Sequence, residues 1–308
     1  MGRAPSGEQW TIRHTTASGA VDEVTVVEVG GGLRSWTRAG VPVLAGYAVD
    51  EMCLAGRGQV LFPWPNRVRD GQWTWEATTY QLPLTEPKLH NASHGLLRWA
   101  VWSLVALTES AVTVAARVFP QPGWPWPLDI ALTYALDDVG LSVTAKVINP
   151  GPTAAAFGLG FHPYVSIGDT PPGEVVLRVP AESYVTVDDR LLPTGVVSVR
   201  GADRDFRDAR PVADTALDTA FGGLSADGDG RWRVTVDGLH ALPRVTVWAD
   251  EAFGWTQVFT GKAAAEGEHG IAVEPTTCPP DALRSGTDLL LLQPGATWTA
   301  QWGVSLAG

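Results

Sequence analysis

Short segments in which apolar and polar residues alternate with a period of two recur along the chain, and that period dictates extended strands burying one face. Val112, Val114, Ala116 and Val118 fall on one side of such a strand, with Thr113 and Arg117 on the other. Ile130, Leu132, Tyr134 and Leu136 repeat the pattern, Asp137-Asp138-Val139-Gly140 supplies turn chemistry, and Leu141, Val143, Ala145 and Val147 resume it. Together they predict a β-hairpin. Further strands are predicted over 24–29, 73–80, 175–179, 232–236, 245–248 and 297–304, separated by many of the 34 glycines and 23 prolines. No segment carries a long amphipathic helical period. Many short strands without intervening helices predict an all-β fold, a large antiparallel β-sandwich rather than a parallel nucleotide-binding sheet. Residues 201–230, rich in Asp, Arg and Gly, are expected to form a long surface connection. Neither a low-complexity linker nor a break in composition divides the chain. Residues 1–308 are therefore expected to form a single domain, a size that large sandwiches reach.

Composition narrows the function classes. A formal net charge of −11 disfavours binding to nucleic acid or to an anionic membrane surface, because both require a basic patch. A small-molecule partner is expected, on a monomer or homodimer. The first residues lack the charged and then apolar run of a signal peptide, and no apolar stretch of about 18 residues is present to span a bilayer. A cytoplasmic protein is expected. Cys53 and Cys278 are too few for a disulfide framework or a four-cysteine zinc site, and are expected to be reduced thiols.

Three segments combine a titratable residue with rigid turn residues in an apolar setting, the arrangement by which a loop holds a reacting group steady. They are Ser93-His94-Gly95, Gly160-Phe161-His162-Pro163-Tyr164 and Val273-Glu274-Pro275. Each proline restricts the preceding residue to extended backbone, which would aim Glu274 and His162 consistently, although prolines also merely end strands. Of the 14 tryptophans, most are expected in the core, with one or two at a binding cleft. His14, His90, His240 and His269 lack motif context and read as surface or structural residues.

Taken in order, these segments resemble a known family. Phe62-Pro63-Trp64-Pro65-Asn66-Arg67-Val68 with Gly71, then His94-Gly95, are similar to the Asn-Arg and His-Gly signatures of the aldose 1-epimerase family, galactose mutarotase type. Asn149-Pro150, Gly158 through Tyr164, Pro193-Thr194-Gly195, Leu217 through Phe221 and Val273-Glu274-Pro275 continue the series. The resemblance implies a β-sandwich with an open cleft and no cofactor. It assigns Glu274 as catalytic base, His162 as the acid at the ring oxygen, His94 as a second histidine near that oxygen, and Arg67 and Asp218 as holders of sugar hydroxyls. Asn66 beside Arg67, and Trp64 as the tryptophan nearest the motif, are expected to complete the binding site.

The chemistry asks for the same residue types. Exchanging anomers requires removing the proton of the anomeric hydroxyl while protonating the ring oxygen, so that the ring opens to an aldehyde, rotates and recloses. One base and one acid suffice, and a carboxylate and an imidazole can fill those roles near neutral pH. No metal is expected, although His94, His162 and Glu274 are of zinc-binding type; the short ligand spacing is missing. The sequence departs from many galactose-type members where His94-Gly95 is followed by Leu96-Leu97-Arg98-Trp99 rather than a second glycine. Arg67, Arg69 and Arg98 are candidates for an anion site. The substrate expected first is a neutral hexose, with a sulfonated or 6-phosphorylated hexose as the alternative and a non-catalytic sugar-binding module as the reading from another class.

Overall fold

The computed structural model describes residues 3–213, 215–260 and 270–307. Its frame is two large antiparallel sheets. One has twelve strands and runs, edge to edge, from Gln9–Thr15 through Val21–Val27, Leu33–Arg38, Val41–Leu44, Tyr164–Ser166, Gly270–Thr276, Trp255–Phe259, Asp218–Leu224 and Ala181–Val187 to Pro193–Ser198. Gly160–Phe161 and Val60–Leu61 attach to it beside the Gly270–Thr276 strand. The other has nine strands, with Leu128–Leu136, Gly140–Ile148 and Thr297–Leu306 near its middle. Alternating apolar residues of both sheets join one continuous core, from Ile12, Val24 and Val273 to Leu132, Val147, Val247 and Val304. The sole helix among the described residues is the single turn Ala282–Ser285, and no helix there is long and apolar enough to cross a membrane.

The all-β, antiparallel expectation holds, as does the hairpin, whose strands pair Leu136 with Leu141 and Ile130 with Val147. Two local expectations are corrected. Residues 73–80 form not one strand but a hairpin of Gln72–Trp75 and Thr78–Gln81. Its turn is made by Glu76 and Ala77, both with positive φ, so the glycine or asparagine that usually marks such a turn is missing. The 201–230 region is not simply a surface connection. Asp218–Leu224 runs through the twelve-stranded sheet between Trp255–Phe259 and Ala181–Val187, and Thr219, Ala220 and Phe221 are buried. Its sequence, Asp-Thr-Ala-Phe-Gly-Gly-Leu, has small residues where a strand signal would show branched ones.

The tryptophans are largely core, as expected. Trp73, Trp124 and Trp126 contact one another with ring centroids 5.4–5.6 Å apart, and Trp73 stacks on Tyr80. Cys53 and Cys278 are both free and buried.

Candidate active site

The site is a consequence of strand register. Residues paired across adjacent strands project to the same face, and so do residues two apart along one strand. Glu274 pairs with Gln257, Gln257 with Ala220, Asp218 with Phe259, and Ala272 with Tyr164. Glu274, Gln257, Phe259, Asp218 and Tyr164 therefore share one face of the sheet, while Val258 and Val273 point to the opposite side and are fully buried in the core. That shared face is the floor of a cleft of about 380 Å³.

Two motifs complete the walls. The strands Arg67–Arg69 and Asn91–Ser93 pair antiparallel, bringing Asn66-Arg67 against Ser93-His94. The His94 amide donates to the Asn66 carbonyl at 2.9 Å, and both residues adopt positive φ. Gly95 must be glycine: its φ is +77°, and a Cβ would lie 2.1 Å from the Phe62 carbonyl oxygen. His162 is held on its backbone by the 58–59 segment, donating to the Gln59 carbonyl at 3.1 Å and accepting from the Gly58 amide at 2.9 Å. Its ring stacks on Tyr164, with centroids 5.1 Å apart and planes 4° apart. Tyr164 in turn donates its hydroxyl to the Ala55 carbonyl at 3.0 Å.

At the centre, His162 Nε2 lies 3.3 Å from Glu274 Oε1, with His162 7% exposed and Glu274 3% exposed. The His94 ring approaches His162 edge-on at 5.7 Å. Burial raises the Glu274 pKa well above the carboxylate range, the Asp218 charge adds to the rise, and Arg67 opposes both. Burial lowers His162 to about 3, assisted by the charges of Arg98 and Arg67. His94 is likewise held well below its usual value, by burial first and then by His162, Arg98 and Arg67. Gln257 Nε2 donates to Asp218 Oδ1 at 2.5 Å. Glu86 accepts two hydrogen bonds from Arg67, at 2.8 and 3.0 Å, fixing the guanidinium plane. Burial works against the Arg67 charge, but Glu86, Asp218 and Glu274 hold its pKa above the usual value.

Of the seven residues expected from sequence, Glu274, His162, His94, Arg67, Asp218 and Asn66 all line this cleft. Trp64 does not: it is 2% exposed and contacts Trp124 in the core. The tryptophan at the cleft is Trp99, 51% exposed. Residues given no role in the sequence reading but lining the cleft include Gln59, Tyr164, Gln257 and Glu86. His14, His90 and His240 each pair with a carboxylate, of Asp138, Asp70 and Glu174 respectively, at the surface, and His269 lies outside the described residues. Among the described residues, no three His, Cys, Asp or Glu side chains converge so as to hold a metal ion.

The family model for aldose 1-epimerase matches residues 13–305. The chain belongs to the aldose 1-epimerase family. Among curated relatives of this chain is an uncharacterized Escherichia coli K12 protein, YihR, 36% identical over 272 residues that cover 88% of this chain and 86% of YihR. Galactose mutarotase of Rattus norvegicus is 29% identical over 155 residues, 48% of this chain and 43% of the rat protein. Solved structures show the same fold at lower identity. The GalM/aldose epimerase homologue from C. elegans superimposes with a TM-score of 0.82 at 19% identity, covering 98% of this chain and 100% of that one. A galactose mutarotase-like protein from Clostridium acetobutylicum gives a TM-score of 0.81 at 18% identity, covering 98% and 99%.

Proposed function

We propose that this protein is an aldose 1-epimerase that interconverts the α and β anomers of a free hexose without a cofactor, with Glu274 as base and His162 as acid. The observation that carries this reading is the 3.3 Å approach of His162 Nε2 to Glu274 Oε1 on the floor of an open cleft. Opening a pyranose ring needs proton removal at the anomeric hydroxyl and proton delivery at the ring oxygen. Those oxygens are both bonded to the anomeric carbon, so an acid and a base for the two must be close neighbours.

The opposed pKa displacements set where the proton of the pair rests. A carboxyl held above its usual range and an imidazole held below it leave that proton on Glu274, from which the 3.3 Å contact lets it pass to His162. When that proton sits on His162, Glu274 is an ionised base and His162 a cationic acid. Ring opening then moves one proton onto Glu274 and another from His162 to the sugar. Reclosure on the other face reverses both transfers and resets the pair. His94 lies beside His162 to hold the ring oxygen, while Arg67, fixed by Glu86, and Asp218, fixed by Gln257, hold sugar hydroxyls. Asn66 sets the turn that presents Arg67 and His94.

The test is polarimetry or proton NMR of freshly dissolved α-glucose and α-galactose. Glu274→Gln is expected to lose roughly a hundredfold to ten-thousandfold in rate, as removal of a general base typically does, while sugar still quenches tryptophan fluorescence. Wild-type turnover in that variant would overturn the assignment of the base. Binding without acceleration of any sugar by the unmodified protein would favour a non-catalytic sugar-binding module instead.

A further inference from the structure

Arg190 does not line the cleft, yet its side chain is where three segments of the chain meet. It lies in the turn between the edge strands Ala181–Val187 and Pro193–Ser198, where Asp188 accepts from the Arg190 and Leu192 amides at 2.9 and 3.0 Å. From there its Nε donates to the Leu89 carbonyl at 2.9 Å, and its Nη2 to Asp70 at 2.8 Å, the His90 carbonyl at 2.9 Å and Asn91 Oδ1 at 3.3 Å. Asn91 is fully buried, and its side-chain amide donates back to the Arg190 carbonyl at 3.0 Å. Residues 86–91 form a closed turn in which Glu86 and Asn91 exchange backbone hydrogen bonds at 3.0 and 3.2 Å. Pro87, Lys88 and His90 are exposed, so little apolar burial orders that turn from within. Asp70 and His90 both have φ of 56°, a backbone that residues other than glycine keep only where their surroundings fix it. Arg190 is bonded to both.

That turn bears on the cleft because it begins with Glu86, whose carboxylate accepts the two hydrogen bonds that fix Arg67. We propose that Arg190 is a positioning residue for sugar binding: by tying the 86–91 turn to the edge of the twelve-stranded sheet, it keeps Glu86 where it orients the Arg67 guanidinium. The proposal rests on the epimerase reading for the role of Arg67 toward a sugar hydroxyl. Two further ties run the same way. Asp188 meets Arg69 Nη1 at 3.7 Å, drawing the Arg190 turn toward the strand that begins at Arg67. Val187 and Leu191, on either side of Arg190, line a small recess beside Arg67 and Asp218. A guanidinium suits this task, because its rigid fork of donors serves several carbonyls and a carboxylate at once, whereas an ammonium offers one compact charge on a flexible stem. Glu274 and His162 are held by other means, the interior strand Gly270–Thr276 and the backbone of Gly58 and Gln59. Loss of Arg190 therefore acts on binding and leaves proton transfer in place.

The experiment compares the wild type, Arg190→Gln, Arg190→Lys, Glu86→Gln and the double variant Arg190→Gln with Glu86→Gln. Anomerisation of glucose and galactose is followed by NMR exchange, and affinity for 1,5-anhydroglucitol and 1,5-anhydrogalactitol, whose rings cannot open, by calorimetry. Arg190→Gln is expected to raise KM and weaken anhydrohexitol binding about tenfold, the scale of one charge-assisted hydrogen bond. Its kcat is expected to stay within about twofold of the wild type, and Arg190→Lys to fall between the two. Because the effect passes through Glu86, adding Arg190→Gln to Glu86→Gln is expected to change KM by less than about twofold, the non-additivity of groups acting in series. An unchanged KM, a loss carried by kcat, or effects of the two substitutions that multiply would overturn the positioning role and leave the epimerase reading intact. Should Arg190→Gln fail to fold, Arg190→Lys, alone and with Glu86→Gln, decides by the same criteria. Anomerisation of neither sugar, with anhydrohexitol affinities that follow the expected pattern, would overturn the epimerase reading and keep the positioning role. Neither anomerisation nor anhydrohexitol binding in the wild type would overturn both.

Discussion

The floor of the cleft and its wall around residues 53–59 and 98–99 are built by different means. The floor residues Glu274, Gln257 and Asp218 project from interior strands of the twelve-stranded sheet, so their spacing is set by backbone ladders on both sides. The wall is loop, held by turns such as the Arg57 amide to Leu54 carbonyl bond, and Leu54 is 72% exposed. The floor carries a carboxyl and an imidazole within contact distance, the pair proposed as base and acid; the wall carries Arg98, which bonds Gln59 and forms no ion pair among the described residues. On the epimerase reading proposed above, a rigid floor suits chemistry common to every aldose, and a loop wall can vary without disturbing the ladder beneath it.

Three substitutions sharpen or break that contrast. The largest expected effect is on the floor. His162→Gln should lower kcat by at least about a hundredfold through loss of the acid, with tryptophan fluorescence still reporting sugar binding; near-normal kcat would remove His162 from the chemistry. Next comes the junction of wall and floor. Gly56 has φ +76°, and a Cβ there would meet His162 Cδ2 at 2.8 Å. Gly56→Ala should cost about 1–2 kcal/mol for the left-handed backbone and lower kcat several-fold by displacing the ring. A melting temperature that falls while kcat holds would show that the wall does not position the acid.

The smallest effect concerns the charge between floor residues. Asp218 raises the Glu274 pKa, and the alkaline limb of a pH–rate profile follows loss of the proton shared by Glu274 and His162. Replacing the repelling negative charge removes a cause of the rise, so Asp218→Asn should move that limb to lower pH. A limb that stays in place or moves to higher pH would contradict the coupling.

The same contrast explains what the sequence reveals. Period-two alternation exposes the strands of the nine-stranded sheet, because Leu132 and Val143 face the core while their neighbours Thr133 and Thr144 point outward. Glu274 and His162 are legible because an ionisable residue beside proline in an apolar run is an anomaly with a signature. Gln257 carries a comparable anomaly, a polar residue within the buried strand Trp255–Phe259, but its meaning depends on pairing with Glu274, and register between distant segments is written in no local pattern. Trp64 stands in the motif beside Asn66 and Arg67, yet it packs into the Trp124 cluster. Arg67, Arg69 and Arg98 look equivalent in sequence and are sorted only by which of them finds a carboxylate.

The pairing of Glu274 with Gln257, and of Gln257 with Ala220, also limits how such a protein can change over generations. A residue gained or lost within one of these strands would reverse the facing of everything beyond it, sending Glu274 into the core and Val273 into the cleft. Such a lineage loses its fold and its cleft in one step, with no intermediate for selection to improve. Length variation is open only to the connections around the cleft, so descendants of this chain are free to reshape its rim and held fast in the residues its floor presents.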